Sequence, residues 1–321
     1  MRIFRDAASL DSAFQQSVLA IGNFDGVHKG HRALLDETIG LAQRHKVASM
    51  VMTFHPHPKR FFHADNTAMS LEPRHVKWRR LRALTLEAVL SMPFNQALAS
   101  MEAEEFITRI LVEQLRVTHI VVGENFCFGR GRKGTIALLQ EFATRYSYGF
   151  TYVPPALHDN APISSSRIRR AIAQGNMEEA TAMLGRPYQL FGRVIHGDKR
   201  GRTLGVRTAN IALNPSLHPP AYGVYAVRYA IMDQANCAVS PPIWKEGVAN
   251  VGVRPTFGEN VPLCEVHALN KEGELYGKIM RVRLIKHLRG ERRFESEDAL
   301  KAQIQRDITD AKAALEAMPC D

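Results

Sequence analysis

Residues 22–31 read GNFDGVHKGH, with His28 and His31 three positions apart among glycines. Glycine lets backbone approach a ligand closely, and a helix starting here would offer unpaired N–H groups at its positive end. Two imidazoles at that end suit phosphate: hydrogen bonds to a phosphoryl oxygen favour the highly charged transition state of attack at phosphorus, with no covalent intermediate. Read alone, HxGH is equally a polar turn carrying two solvated histidines. A metal pair lacks a nearby Cys or carboxylate at ligand spacing.

A second candidate spans residues 192–210, GRVIHGDKRGRTLGVRTAN, a Gly-rich basic loop between strand-like segments. It lacks the GxxxxGK[ST] spacing of a Walker A loop. Smaller features surround the first motif. Ser164, Ser165 and Ser166 precede Ile168, Ala171 and Ile172, so they can cap a helix and donate hydroxyl hydrogen bonds, with Arg169 one turn in as a phosphate partner. The stretch 130–134 (GRGRKG begins at Gly129) reads either as a mobile basic loop or as a triphosphate clamp. His55 and His57, bracketed by prolines, read as structural or substrate-lining, and Glu265 by itself reads as an outward-facing strand carboxylate.

These residues need two kinds of scaffold. Val18 to Ile21 forms a buried strand that runs into the Gly/Asn/Asp turn, Leu34, Leu35, Ile39 and Ala42 follow at helical spacing, and Val47 to Phe54 makes another strand. That is a βαβ unit, whose right-handed crossover gives a parallel sheet. Ile107, Ile110, Leu111 and Leu115 on one helical face, then strands His119 to Val122 and Phe150 to Val153, extend the pattern. Residues 1–185 are expected to form a doubly wound, Rossmann-like α/β domain. After Gly185-Arg186-Pro187 alternation takes over, in Tyr222 to Tyr229, Glu246 to Val253, Leu263 to Leu269 and Lys278 to Leu288. Residues 186–321 are therefore expected to form an antiparallel β-barrel domain. A closing helix should pack on it, with Leu300, Ile304, Ile308, Ala311 and Leu315 as its stripe and Ser296 as its N-cap.

Composition narrows the function classes. The 321 residues include 42 Lys plus Arg against 32 Asp plus Glu, a net charge of +10. The excess divides evenly: residues 1–185 carry 22 basic and 17 acidic side chains and residues 186–321 carry 20 and 15, +5 each. No polybasic tail exists, and the short clusters Arg130, Arg132, Lys133 and Lys199, Arg200, Arg202 sit among glycines, as small anion-binding loops do. Neither loop interleaves aromatics, so nucleic acid is not the expected partner. Cys127, Cys237, Cys264 and Cys320 are too far apart for a disulfide framework or a CxxC site, which fits a reduced cytoplasmic protein. Charges at Arg2, Arg5, Asp6 and Asp11 fall where a signal peptide needs apolar residues, and no run reaches 18 apolar residues, so neither secretion nor a membrane span is expected.

Taken in order, the motifs resemble those of the bacterial bifunctional riboflavin kinase/FAD synthetase family. Residues 22–31 are similar to its HxGH segment, 53–58 (TFHPHP) to its TFxPHP segment, and 123–129 (GENFCFG) and 163–169 (ISSSRIR) to two further nucleotide-binding segments. The loop 192–210 resembles the kinase signature that usually ends GFPTAN, with Val206 and Arg207 replacing Phe and Pro. NVGVRPTF at 250–257, CEVH at 264–267 and HLRGERRF at 287–294 complete the set. The resemblance implies adenylyl transfer in the first domain, with His28 and His31 catalytic and Gly22, Asn23, Phe24, Asn125, Ser165, Ser166 and Arg169 binding ATP. Many members have Asp in place of Asn125 and Thr in place of Ser166.

For the second domain it implies riboflavin phosphorylation. Glu265 is then the catalytic base, Gly197, Lys199, Gly201, Arg202, Thr208 and Asn210 bind ATP, Thr208 and Asn210 hold Mg²⁺, and Arg289, Glu291 and Phe294 lie at the flavin end. The expected ligands are riboflavin, FMN, FAD, ATP, ADP and pyrophosphate, with FMN and FAD as substrate and product rather than redox cofactor. The expected assembly is a monomer or weak oligomer. Two rivals remain: a different HxGH nucleotidyltransferase with a non-catalytic barrel, and a non-enzymatic flavin- or RNA-binding protein.

Overall fold

The computed structural model describes residues 1–62, 70–195, 208–232, 242–256, 259–270, 273 and 275–318. Two compact units result, Met1–Ser165 and Ser166–Asp321.

The first unit is built on six parallel strands: β1 (Arg2–Phe4), β2 (Val18–Ile21), β3 (Ser49–His55), β4 (Ala88–Pro93), β5 (His119–Gly123) and β6 (Gly149–Val153). Their order is β1-β4-β3-β2-β5-β6, and β7 (Leu157–His158) pairs antiparallel with β8 (Ala161–Pro162) in a separate two-stranded sheet. Helix α1 (Lys29–His45) makes the crossover from β2 to β3. Pro58–Phe62 is α2, Arg74–Ala83 is α3 and Gln96–Ser100 is α4. The short α5 (Ala103–Glu105) leads into a π-helical stretch, Phe106–Gln114, and α6 (Ile136–Tyr146) precedes β6. Both faces of the sheet are covered. Val18, Ala20, Val51, Val89 and Val121 pack with Leu34, Leu35 and Leu41 of α1. Leu19, Ile21, Met50, Met52 and Leu90 pack with Phe106, Ile107 and Leu111 on the other face. Strands buried on both faces are continuously apolar, which is why β2 reads VLAI without alternation.

The order of strand addition reverses between β2 and β5, which are parallel neighbours in register Val18↔His119 to Ala20↔Val121. Loops leaving the carboxyl ends of two such strands diverge and open a crevice, the usual ligand position in an open α/β sheet. The turn at Gly22 and the loop containing Asn125 are those two loops.

The second unit begins with α7 (Ser165–Ala173, whose first residue closes the first unit) and α8 (Met177–Leu184), the latter ended by Gly185 at φ 72°. Then β9 (Tyr188–Ile195), β10 (Thr208–Ala212), β11 (Gly223–Met232), β12 (Lys245–Thr256), β13 (Glu259–Ala268) and β14 (Ile279–Arg289) form a closed barrel in the order β10-β13-β12-β11-β14-β9. Its pairings are all antiparallel. Ala209, Ile211, Ala249, Val251, Cys264 and Val266 are buried and line the interior. The C-terminal helix α9 (Glu297–Glu316) starts at Ser296, whose Oγ accepts the Ala299 N–H at 3.2 Å. Its Ala311 and Leu315 pack on Val224, Ala226, Val248 and Ile285 of the barrel's outer wall. Parallel sheet, antiparallel barrel and closing helix are as the sequence periodicities indicate.

Candidate functional sites

In the first unit, β2 delivers the chain to Gly22 and α1 begins at Lys29, so the intervening loop must turn sharply. It does so through left-handed backbone at Phe24 (φ 49°), Gly26 (φ 80°) and Val27 (φ 38°). For Phe24 and Val27 that region costs about 1–2 kcal/mol each. The surroundings hold them there, since Phe24 is 0% and Val27 3% exposed. Thr53 Oγ1 donates to the Asn23 carbonyl at 3.1 Å and the Lys77 ammonium to the same carbonyl at 3.0 Å. The Leu71 N–H donates to both Asp25 carboxylate oxygens, at 3.0 and 3.2 Å, and Ser165 Oγ donates to the Asp25 carbonyl at 3.0 Å.

The loop ends on His28, which caps α1: its Nδ1 accepts the His31 N–H at 3.2 Å. Acceptance at Nδ1 puts the ring proton on Nε2, a donor suited to a phosphoryl oxygen. The two imidazoles stack with centroids 3.6 Å apart and planes 15° apart. A side chain at Gly30 would press on the His28 ring at 3.3 Å, so glycine there lets the ring lie over the helix start. Phosphate held at this point gains the positive end of α1 as well as the imidazoles.

Asn125 lies exposed in the loop after β5, and Gly22 and Asn23 in the loop after β2, so all three sit at the switch point. Ser165 opens α7 and is bound to Asp25; Ser166 and Arg169 follow on the same helix. The 129–134 stretch is folded: Arg130–Arg132 form a 3-10 turn, Arg130 pairs with Glu102, and Phe128 bridges Gly134. His57 is committed locally, its Nδ1 accepting the Lys59 N–H at 3.1 Å. His55, at the end of β3, is held below the usual histidine range by partial burial and then by the positive charges of Arg74, Lys77 and Arg60. Beside it Phe54, Phe61, Phe62 and Phe94 form an aromatic cluster, and Phe62 is 64% exposed.

In the second unit, strand pairing composes the site. Asn210 of β10 lies opposite Glu265 of β13, and Glu265 lies opposite Asn250 of β12. Thr208, His267 and Val248 form the adjacent row. Residues paired in register share a face, and the alternate residues fill the interior, so Thr208, Asn210, Glu265 and Asn250 stand on the outer wall. Asn210 is 6% exposed and its Oδ1 has no hydrogen-bond partner among the described residues. A buried carbonyl oxygen left without a donor is costly unless a ligand satisfies it. With the Thr208 hydroxyl it supplies oxygen donors that fit a hard cation such as Mg²⁺.

Glu291 reaches the same wall. Its Oε1 lies against Gly252, two residues beyond Asn250, at a point where any Cβ would collide with it. Arg289 grips the Asp307 carboxylate of α9 through Nε at 2.9 Å and Nη2 at 2.8 Å, with Gln303 also donating to Asp307 at 2.9 Å. Phe294 lies 5.7 Å from the Arg289 guanidinium. Gly197, Lys199, Gly201, Arg202, Val206 and Arg207, and also Cys237 and Cys320, lie outside the described residues. Cys127 is free and exposed, and Cys264 is free and buried, its thiol pushed up to about 12 chiefly by burial. No group of three or more metal-ligating side chains occurs among the described residues, nor any helix long and apolar enough to cross a membrane.

Residues absent from the sequence reading are Thr53, Asp25 and Lys77 around the first loop, and Asn250 and Gly252 on the barrel. Thr53, Asp25, Asn250 and Gly252 fall inside recognisable motifs. Lys77, in the basic helix RHVKWRRLRA, carries no signal of its own.

Comparison with known proteins bears on both sites. A family model described as FAD synthetase matches residues 10–167, and one described as riboflavin kinase matches residues 184–315. Curated relatives called bifunctional riboflavin kinase/FMN adenylyltransferase include one from Escherichia coli K12, 39% identical with 97% of each chain covered. Another, from Haemophilus influenzae, is 35% identical with 98% of this chain and 99% of the relative covered. A crystal structure from Streptococcus pneumoniae, described as a macrolide-efflux protein, is 29% identical, has a TM-score of 0.85 and covers 97% of this chain and 98% of that one. Matches in domain order and full-length relatives converge: the chain belongs to the bifunctional riboflavin kinase/FMN adenylyltransferase family.

Proposed function

We propose that the barrel phosphorylates riboflavin to FMN with Mg·ATP and that the α/β unit transfers AMP from a second ATP to FMN, giving FAD and pyrophosphate. The observation that carries the division of labour is the contrast in side chains. The first site presents imidazoles, amides, hydroxyls and Arg169, with the Asp25 carboxylate tied to the Leu71 N–H, whereas the second carries a carboxylate, Glu265, in a row with Asn210 and Asn250.

In the kinase, the ribityl hydroxyl attacks the γ-phosphorus of ATP and ADP leaves. That hydroxyl is almost fully protonated at neutral pH, so Glu265 accepts its proton as the new P–O bond forms. Thr208 and Asn210 would hold Mg²⁺, which when bound neutralises charge on the phosphates. Lys199 and Arg202, with Gly197 and Gly201, serve the ATP phosphates. Glu291 lies at the flavin end, and Arg289, through Asp307, holds that segment on α9.

In the adenylyltransferase, an FMN phosphate oxygen attacks the α-phosphorus of ATP and the bond to the β-phosphate oxygen breaks. The nucleophile is already ionised, so no base is required. His28 and His31 donate to the phosphate oxygens, and Asn125, Ser165, Ser166 and Arg169 position ATP. The Phe62 cluster offers a flat apolar face to the isoalloxazine ring. The functional modules divide at 185/186, and the free Cys127 and Cys264 thiols together with ATP chemistry fit a cytoplasmic location.

Chromatography of riboflavin incubated with ATP and Mg²⁺ tests the reading. FMN should appear first and FAD after it. A chain that makes neither is not this enzyme, and one that makes FMN alone lacks a working first site.

A further inference from the structure

The loop Gly22–His28 is bent against its own backbone preference at Phe24 and Val27, and such a bend lasts only while its surroundings hold it. The holding contacts come from residues remote in sequence, and one brings a full charge. Lys77 Nζ is 3.0 Å from the Asn23 carbonyl oxygen and 3.4 Å from Thr53 Oγ1, and Thr53 itself donates to Asn23.

We propose that Lys77 is a positioning residue of adenylyl transfer: its ammonium clamps the Asn23 carbonyl and keeps the loop in the form that presents His28 and the start of α1 to nucleotide phosphate. This rests on the adenylyltransferase reading of the first site. Lys77 touches the loop backbone, so it acts through Asn23 and His28.

The charge is the important part of the contact. A hydrogen bond from an ammonium is roughly twice as strong as one from a neutral amine. The charged and titratable groups around Lys77 are Asp25 of the loop, Glu72 before α3, Arg74 on α3 and His55 at the end of β3. Asp25 accepts from the Leu71 N–H, and Glu72 is paired with Arg80 at 2.6 Å. Burial, aided by Arg74, holds the Lys77 ammonium below the usual lysine range, against the pull of Asp25 and Glu72. The clamp therefore weakens on the alkaline side sooner than an ordinary lysine would lose its proton. Arginine stays charged there.

The test follows FAD formation from FMN and ATP by the full-length chain across pH, with riboflavin phosphorylation as a parallel assay. Lys77→Met should lower kcat/KM for adenylyl transfer about tenfold, mainly through KM for ATP, and leave phosphorylation unchanged. Lys77→Arg should keep most of the activity and move the alkaline limb of kcat/KM upward. Unchanged adenylyl transfer in Lys77→Met, or the same alkaline limb in wild type and Lys77→Arg, overturns the proposal. Should Lys77→Met not fold, Lys77→Arg decides alone, because a purely structural lysine would leave the limb in place. If wild type forms no FAD at all, the adenylyltransferase reading fails; if it does and Lys77→Met matches it, only the clamp fails.

Discussion

The two sites are held in place by opposite means. The first sits on a loop whose bend depends on side chains of Thr53, Lys77, Asp25 and Ser165, reaching across up to 140 positions of sequence. The second sits on β10, β13 and β12, where the backbone ladder sets Asn210, Glu265 and Asn250 side by side. A ladder survives the loss of a side chain, whereas an anchored loop does not. Substitutions around the first site should therefore change geometry and chemistry together. In the barrel, chemistry can be removed with geometry intact.

The sharpest way to break this contrast is a reciprocal pair. His28→Ala removes both the proposed phosphate donor and the cap of α1, and should lower FAD formation from FMN by about 10²–10³-fold while sparing riboflavin phosphorylation. Glu265→Gln should cost phosphorylation about 10²–10⁴-fold, spare adenylyl transfer and leave the melting temperature unchanged. Equal loss of both activities in either variant refutes the division of labour. A smaller effect is expected where the barrel does rely on side chains. Asp307→Ala strands the half-buried Arg289 guanidinium and should destabilise the second unit by about 3 kcal/mol, read as a lower melting transition.

The smallest effect is a pH dependence. His55 and His119 in the first unit and His218 in the second are all held below the ordinary 6.5, mainly by burial. In each case the unfolded chain takes up the proton first as pH falls. The stability they confer is complete above about pH 6.5 and is lost as pH drops through their folded values. Thermal melts at pH 7.5 and 5.5 should differ accordingly, and His119→Gln should reduce the difference in the first unit.

How much of this could be read from residues alone varies with the distance of the interaction. Local signals were clear: VLAI running into a glycine turn, the stripe of α9, the Ser296 cap and the alternation of β11 to β14. The three-residue β1 is too short to carry a period, and β4 (AVLSMP), buried on both faces, does not alternate. Barrel closure depends on β9 pairing with both β10 and β14, which no local pattern encodes. At the sites, residues inside motifs are legible because their spacing is local. Lys77 is not, because its contact with Asn23 spans 54 positions. The resemblance places Arg289 at the flavin end, and the pairing of its guanidinium with Asp307, on a helix that begins eight residues later, is a contact no local pattern shows.

The closed barrel has one more consequence. A sheet joined to itself leaves no strand margin on which another chain can dock, whereas the six-stranded sheet of the first unit ends, among the described residues, on β1 and β6. β1 is three residues long and carries a charged Arg2, but β6 reads GFTYV and leaves Tyr152 53% exposed. Under heat or crowding, intermolecular association should begin along β6. The vulnerable half of this protein as a material is then the half that makes FAD, and lysine at position 152 is the economical place to protect it.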